Sequence, residues 1–164
     1  MFPFVTVNIC HHFLSNLSCI FPPQVVVRGR KPNNWTANKA EIQKGFLLHV
    51  TSVADLKTVI NEKVAWLQKF RKPLSFNPLA AIVGKDLQNV EKCFVVIQPS
   101  NLYEVESPAE AIDLTFKAVH ALCLEYALES KNMWLLLQQK VYGIHTEWDE
   151  VPPALIPFMK FFTL

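Results

Sequence analysis

The hydrophobic pattern changes period once between positions 46 and 70. Residues 46–50 (FLLHV) form a short apolar run suited to a buried strand. Thr51-Ser52 then offers an N-cap, and Asp55 stands three residues beyond Ser52, where a carboxylate favours the helix dipole. Leu56, Ile60, Val64 and Leu67 follow at intervals of four, four and three, which predicts a helix running to about residue 70, stopped by Pro73. Residues 79–83 and 93–97 are two further apolar, partly β-branched runs separated by a polar stretch that starts Gly84-Lys85-Asp86. They read as antiparallel strands joined by a loop longer than a tight hairpin, and their near-continuous hydrophobicity implies burial on both faces.

Ser107-Pro108-Ala109-Glu110 is the sharpest local signal in the chain. Ser107 can cap an amide two or three residues on, Pro108 suits the first helical position, and Glu110 can complete a capping box. Ile112, Phe116, Val119, Cys123 and Tyr126 recur at helical spacing, so one inward stripe is expected to reach Tyr126. Ser130 reads as the cap of another helix, over 131–142, whose apolar run 133–137 places it between other elements, with Gly143 as its stop. The two helices are expected to pack as neighbours across a short turn at 128–130. Trp134, Leu137 and Val141 would supply the second side of that contact. The expected fold is α+β: a small, mostly antiparallel sheet covered by about three helices.

Four regions follow from this pattern. Residues 45–145 hold the α+β domain, and residues 146–164 are an apolar, proline-punctuated tail. Residues 25–44 join a β-branched run at 25–27 to the turn-rich RGRKPNNWTANK and read as a basic linker. Residues 1–24 are uncharged and apolar but broken by Pro3, Asn8, His11, His12, Asn16 and Pro22-Pro23. They lack the run of about 20 apolar residues a bilayer span requires, as well as the basic start of a signal peptide. Their Phe, Leu, Ser and Pro content, ending in Gln24, is that of a translated pyrimidine-rich intron end followed by CAG. The expectation is a gene-model artefact, with the native protein entering at about Val25.

Composition narrows the class. With 51% hydrophobic and 18% charged residues in 164, the chain can bury a core and should fold. Its net charge of +2 conceals ten Lys/Arg against three Asp/Glu over 28–72, and six against eleven over 73–164. Two halves attracting each other within one fold account for this without a partner. Four sparse cysteines (Cys10, Cys19, Cys93 and Cys123) without a disulfide spacing fit a reducing, intracellular setting, nucleus or cytoplasm.

Candidate chemistry is thin. His120 and Cys123 lie three apart on a predicted helix, but no third ligand or carboxylate joins them, so a core thiol beside an exposed histidine is the plainer reading. Cys10, His11, His12 and Cys19 lack zinc-finger spacing, and the acid pairs Asp149-Glu150 and Glu104/Glu106 read as solvated charges. None of the four glycines builds a phosphate loop or a nucleophile elbow. No catalytic residue, metal ligand or cofactor is expected. Arg28-Gly29-Arg30-Lys31-Pro32 resembles an AT-hook core, in which two arginines flanking glycine lie along a narrow minor groove; Lys31 departs from it where proline is usual, as does Val27 in front. Lys69, Arg71 and Lys72 form a second basic cluster at a predicted helix end.

From residue 45 to 144 the sequence resembles a poorly characterised C-terminal domain of animal proteins, some of them apparently derived from mobile elements. The resemblance rests on GFLLHV at 45–50, the PLAAIVG and CFVVI strands, SPAEAIDLTFK at 107–117, the stretch 122–126 and residues 134–144. It implies an accessory or assembly role beside DNA-binding or other modules and brings no catalytic residues with it. The expected function is therefore a non-enzymatic interaction or assembly domain, engaging a protein partner or a second copy through Leu155, Ile156, Phe158, Phe161 and Phe162. The alternative is an accessory nucleic-acid-binding domain that uses Arg28, Arg30, Lys31, Lys69, Arg71 and Lys72. A membrane partner is not expected.

Overall fold

The computed structural model of the chain describes residues 25–28, 33–70, 74–153 and 155–161. Strands β1 (Val25–Arg28) and β2 (Asn33–Thr36) pair antiparallel as a separate two-stranded ribbon. The order then runs α1 (Lys39–Phe46), β3 (Leu47–Val50), α2 (Val53–Leu67), β4 (Leu79–Gly84), β5 (Val90–Gln98), β6 (Asn101–Val105), α3 (Pro108–Ala121), α4 (Lys131–Lys140) and the short α5 (Ile156–Phe161). Strands β3 to β6 form one sheet in chain order. β3 runs parallel to β4 because α2 carries the chain back to the starting edge, and the other two pairs are antiparallel. The fold is α+β with a small, mostly antiparallel sheet.

Period-two alternation assigns the faces of this sheet. Leu79, Ala81 and Val83 of β4 join Phe94 and Val96 of β5, Leu48 and Val50 of β3, and Leu56 and Ile60 of α2 in one core. Ala80, Ile82, Cys93 and Val95 point the other way, into a larger core shared with α1, α3, α4 and α5. Both central strands are therefore buried on two sides, as their apolar runs imply. Ser52 Oγ accepts from the Asp55 amide at 3.1 Å and Ser107 Oγ from the Glu110 amide at 3.1 Å, so both predicted caps are formed. Glu110 reaches one residue further back than a capping box requires, accepting from the Glu106 amide at 2.8 Å.

Several expectations change. Part of the expected basic linker is structured: Asn38 and Glu41 make a capping box at 3.0 and 2.8 Å, and α1 sends Ile42 and Phe46 into the larger core. Phe46 thus closes a helix, and the strand begins at Leu47. β6, absent from the sequence reading, adds an edge strand whose residues are all exposed or only partly buried.

Helix α3 stops at Ala121, five residues short of Tyr126. The Cys123 amide donates to His120 O at 3.1 Å and the Leu124 amide to Val119 O at 2.9 Å, the two bonds of a Schellman motif. Cys123 occupies its left-handed position at φ 52°, where glycine is usual, and its side chain is exposed rather than in the stripe. The α3 to α4 connection is therefore a nine-residue segment, 122–130, rather than a short turn. Ser130 makes no side-chain cap bond, and α4 ends at Lys140 with Val141 facing solvent. The aromatic contact with α3 lies just beyond the end of α4: Phe116 stacks on Tyr142, two residues past Lys140, with centroids 3.9 Å apart and planes 5° from parallel.

Candidate functional site

The most organised surface lies where α4 ends. Gly143, at φ +66°, turns the chain out of the helix, and the Ile144 amide donates back to Gln138 O at 3.0 Å. Asp149 then fastens the loop. Its carboxylate accepts from the Thr146 hydroxyl at 2.6 Å, the Thr146 amide at 3.0 Å, Gln138 Nε2 at 2.9 Å and Gln139 Nε2 at 2.8 Å. Burial opposes its ionisation, but the hydrogen bonds from Thr146, Gln139 and Gln138 outweigh that and hold its pKa at about 2.

A chain of hydrogen bonds extends this clamp to α3. Gln138 Nε2 faces two acceptors, the Asp149 carboxylate and Ile144 O at 3.3 Å, so its Oε1 is the atom that accepts from the Tyr126 hydroxyl at 2.8 Å. The Tyr126 proton being thus committed, His120 Nε2 must donate to the Tyr126 oxygen at 2.8 Å, which assigns the Nε2–H tautomer to neutral His120. Burial, with the Asp149 charge added, pushes the Tyr126 hydroxyl well above its ordinary pKa. Tyr142, raised by burial and by its bond to Asp113 at 2.6 Å, is likewise a fixed neutral donor.

On this rigid frame sit apolar side chains facing water. Trp148 is 81% exposed, and Leu122, Val141 and Ile144 are also exposed. The segment 123–129, which carries Tyr126, and α2 enclose a cleft of about 370 Å³ whose walls include Leu67, Leu74, Leu124 and Leu128. Within it Lys63 Nζ meets Glu129 Oε1 at 2.6 Å, both side chains largely buried at 14% and 9% exposure. Glu129 in turn lies against the bare Cα of Gly45, where an added methyl group would collide with its side chain.

The residues singled out from sequence are dispersed. Arg28 ends β1 opposite Asn33, and Lys69 is exposed just past α2; Arg30, Lys31, Arg71 and Lys72 lie outside the described residues, as do Phe162 and the set Cys10, His11, His12 and Cys19. Leu155 is fully buried in the larger core, Ile156 is exposed, and Phe158 and Phe161 fall within α5. Glu104 pairs with Lys92 at 3.0 Å on the sheet surface, and Glu150 with Lys131 at 3.5 Å. Asp149 is the loop's organising acceptor rather than a solvated charge, a role that the T-x-x-D spacing from Thr146 could have signalled. Among the described residues no cluster of three metal-ligating side chains occurs, and no helix is long and apolar enough to cross a membrane. No family model, curated protein or solved structure matches the chain.

Proposed function

We propose that this chain is a non-enzymatic interaction or assembly domain whose contact surface centres on Trp148. The observation that carries the reading is an indole 81% exposed on a loop that four hydrogen-bonded groups hold in place. Leaving an indole of about 200 Å² in water forgoes about 5 kcal/mol of burial. A rigid loop has already lost the entropy that binding would otherwise cost, and tryptophan is the residue type most enriched among interface hot spots. Leu122, Val141 and Ile144 are exposed as well, the last two on the segment that leaves α4 and leads to Trp148. The same reading takes residues 45–144 as a member of the C-terminal domains they resemble, acting inside the cell beside other modules. A photo-crosslinking amino acid at position 144 should give a dominant covalent adduct in cells that disappears with Trp148→Ala. Adducts no stronger than those from the same probe at the exposed Lys57 would refute the reading.

A second reading, nucleic-acid binding, is favoured by one contact. Trp35 of β2 packs on Trp66 at 5.0 Å and Phe70 at 6.3 Å, which brings the β1–β2 ribbon against the end of α2. The basic stretches 28–31 and 69–72 adjoin these aromatic residues in sequence. Affinity for an A·T-rich duplex should fall with salt and fall further with Arg28/Arg30→Ala. Equal affinity of that variant and the parent would refute it.

A further inference from the structure

A continuous column of aromatic rings runs through the helical side of the domain. Trp134 stacks on Tyr126 with centroids 5.9 Å apart, Tyr126 meets His120 edge-on at 5.9 Å, His120 meets Phe116 at 4.4 Å, and Phe116 stacks on Tyr142 at 3.9 Å. The Trp134 end is buried, at 2% exposure, and the Tyr142 end is half-buried. Indoles and phenols are readily oxidised by one electron, and rings this close pass an electron in short steps. The two tyrosines of the column differ in what their hydroxyls meet. Tyr126 donates to Gln138 Oε1, a neutral amide oxygen, at 2.8 Å and accepts from His120 Nε2, so no base is placed to take its proton. Tyr142 donates to the carboxylate of Asp113 at 2.6 Å, while the other oxygen of that carboxylate holds Lys117 Nζ at 2.6 Å. Burial, and then the Asp113 carboxylate, hold the Tyr142 phenol neutral, so its electron and its proton must leave together.

We propose that Tyr142 is a redox-active tyrosine, the site at which a one-electron oxidation of the core comes to rest, with Asp113 as the base that takes its proton. The oxidant is a one-electron acceptor in solution, a small radical or an oxidised metal complex, which removes one electron from Trp134. An electron from Tyr142 then refills the indole by way of Phe116, His120 and Tyr126. The Tyr142 O–H bond breaks, the proton bonds to the Asp113 carboxylate, and a neutral phenoxyl radical remains. A thiolate in solution returns the electron and becomes a thiyl radical, Asp113 returns the proton, and both aromatic side chains are restored. The column thus moves oxidative damage from an indole sealed in the core to a half-buried phenol that solutes reach. This activity goes beyond the contact surface proposed above and does not depend on it.

Flash photolysis of the full chain tests this, with a ruthenium polypyridyl photosensitiser attached to the exposed Cys123 thiol. Cys10→Ser and Cys19→Ser direct the label, and Tyr103→Phe and Trp148→Phe remove two exposed aromatic side chains that would compete as electron donors. After oxidative quenching of the excited label, transient absorption should show an indole radical that converts to a tyrosyl radical, and freeze-quenched samples should give the tyrosyl spectrum by electron paramagnetic resonance. Tyr142→Phe keeps the ring that stacks on Phe116 and should lose the tyrosyl signal while the indole radical persists. Asp113→Asn should slow tyrosyl formation about 100-fold or more, and Asp113→Glu should restore part of the rate. Circular dichroism matching the parent establishes that each variant is folded, and Asp113→Asn decides the question where Tyr142→Phe is not. A folded parent without a tyrosyl radical, an undiminished tyrosyl signal in Tyr142→Phe, or a parental rate in Asp113→Asn overturns the proposal.

Discussion

Two tryptophans of the same domain should respond oppositely to the same truncation. Trp134 is 2% exposed, its ring 4.6 Å from Phe46 and stacked within 10° on Tyr126 at 5.9 Å. It joins α4 to α1 and to the 122–130 segment, so its removal opens a cavity between three elements that cannot all collapse inward. Its buried area of about 200 Å² corresponds to about 5 kcal/mol of transfer free energy, and measured truncations of buried aromatic residues cost about 3 to 5 kcal/mol. We expect about 4 kcal/mol for Trp134→Ala, against about 5 to 15 kcal/mol of total stability for a domain. With a urea dependence of about 2 kcal/mol per molar, the unfolding midpoint should drop by about 2 M. Trp148→Ala, by contrast, should lie within about 0.5 kcal/mol of the parent. Equilibrium urea unfolding followed by far-ultraviolet circular dichroism compares them without relying on indole emission. Equal midpoints for Trp134→Ala and the parent would refute the packing of α4 described above.

Glycine to alanine inside a helix ordinarily stabilises by about 1 kcal/mol. At Gly45 the sign should reverse, because the new methyl group displaces Glu129 and strands Lys63; thermal unfolding should show a loss of about 1 to 3 kcal/mol that largely vanishes in a Lys63→Met background. Asp149 has a folded pKa of about 2, below the unfolded value of about 3.9, so its stabilisation is complete above that unfolded value and is lost as pH falls from about 4 to about 2. The stability gap between the parent and Asp149→Asn should narrow across that window in acid titrations, and a constant gap would contradict the assignment. Cys123→Gly should stabilise by about 1 kcal/mol, since it relieves a left-handed non-glycine residue in a Schellman motif. A lower unfolding midpoint would count against that strain.

What could be read ahead of the structure depended on how local its cause is. The Ser52 and Ser107 caps, and the two-sided burial of 79–83 and 93–97, each follow from a few consecutive residues, and they stand in the fold as expected. Helix α1 carried an equally local signal, the N-x-x-E capping box of Asn38 and Glu41, but its neighbours Pro32, Asn33 and Asn34 and its basic composition read as a linker. The overextension of α3 had a different cause. Cys123 and Tyr126 keep helical spacing, and a C-cap without glycine leaves no mark in the sequence. β6 escaped notice because an edge strand that is half-exposed need not alternate clearly. The Trp148 surface was illegible for a more general reason: which apolar side chains stay outside depends on how the whole chain closes, as the reversal between expected Leu155 and observed Trp148 illustrates.

Because the strands of the main sheet lie side by side in the order in which they are made, the sheet is complete once residue 105 has been synthesised. By then α2 already covers one face, whereas Ala80, Ile82, Cys93 and Val95 on the other await α3 and α4. Those helices end their core contribution about thirty residues later, or about two to six seconds at ordinary translation rates of 5 to 20 residues per second. During that interval the nascent chain presents an apolar face covered only by α1, beside the unpaired edge of β6, the combination that chaperones bind and that aggregates when it is not bound. A chain terminated between β6 and α3 is therefore expected to enter inclusion bodies.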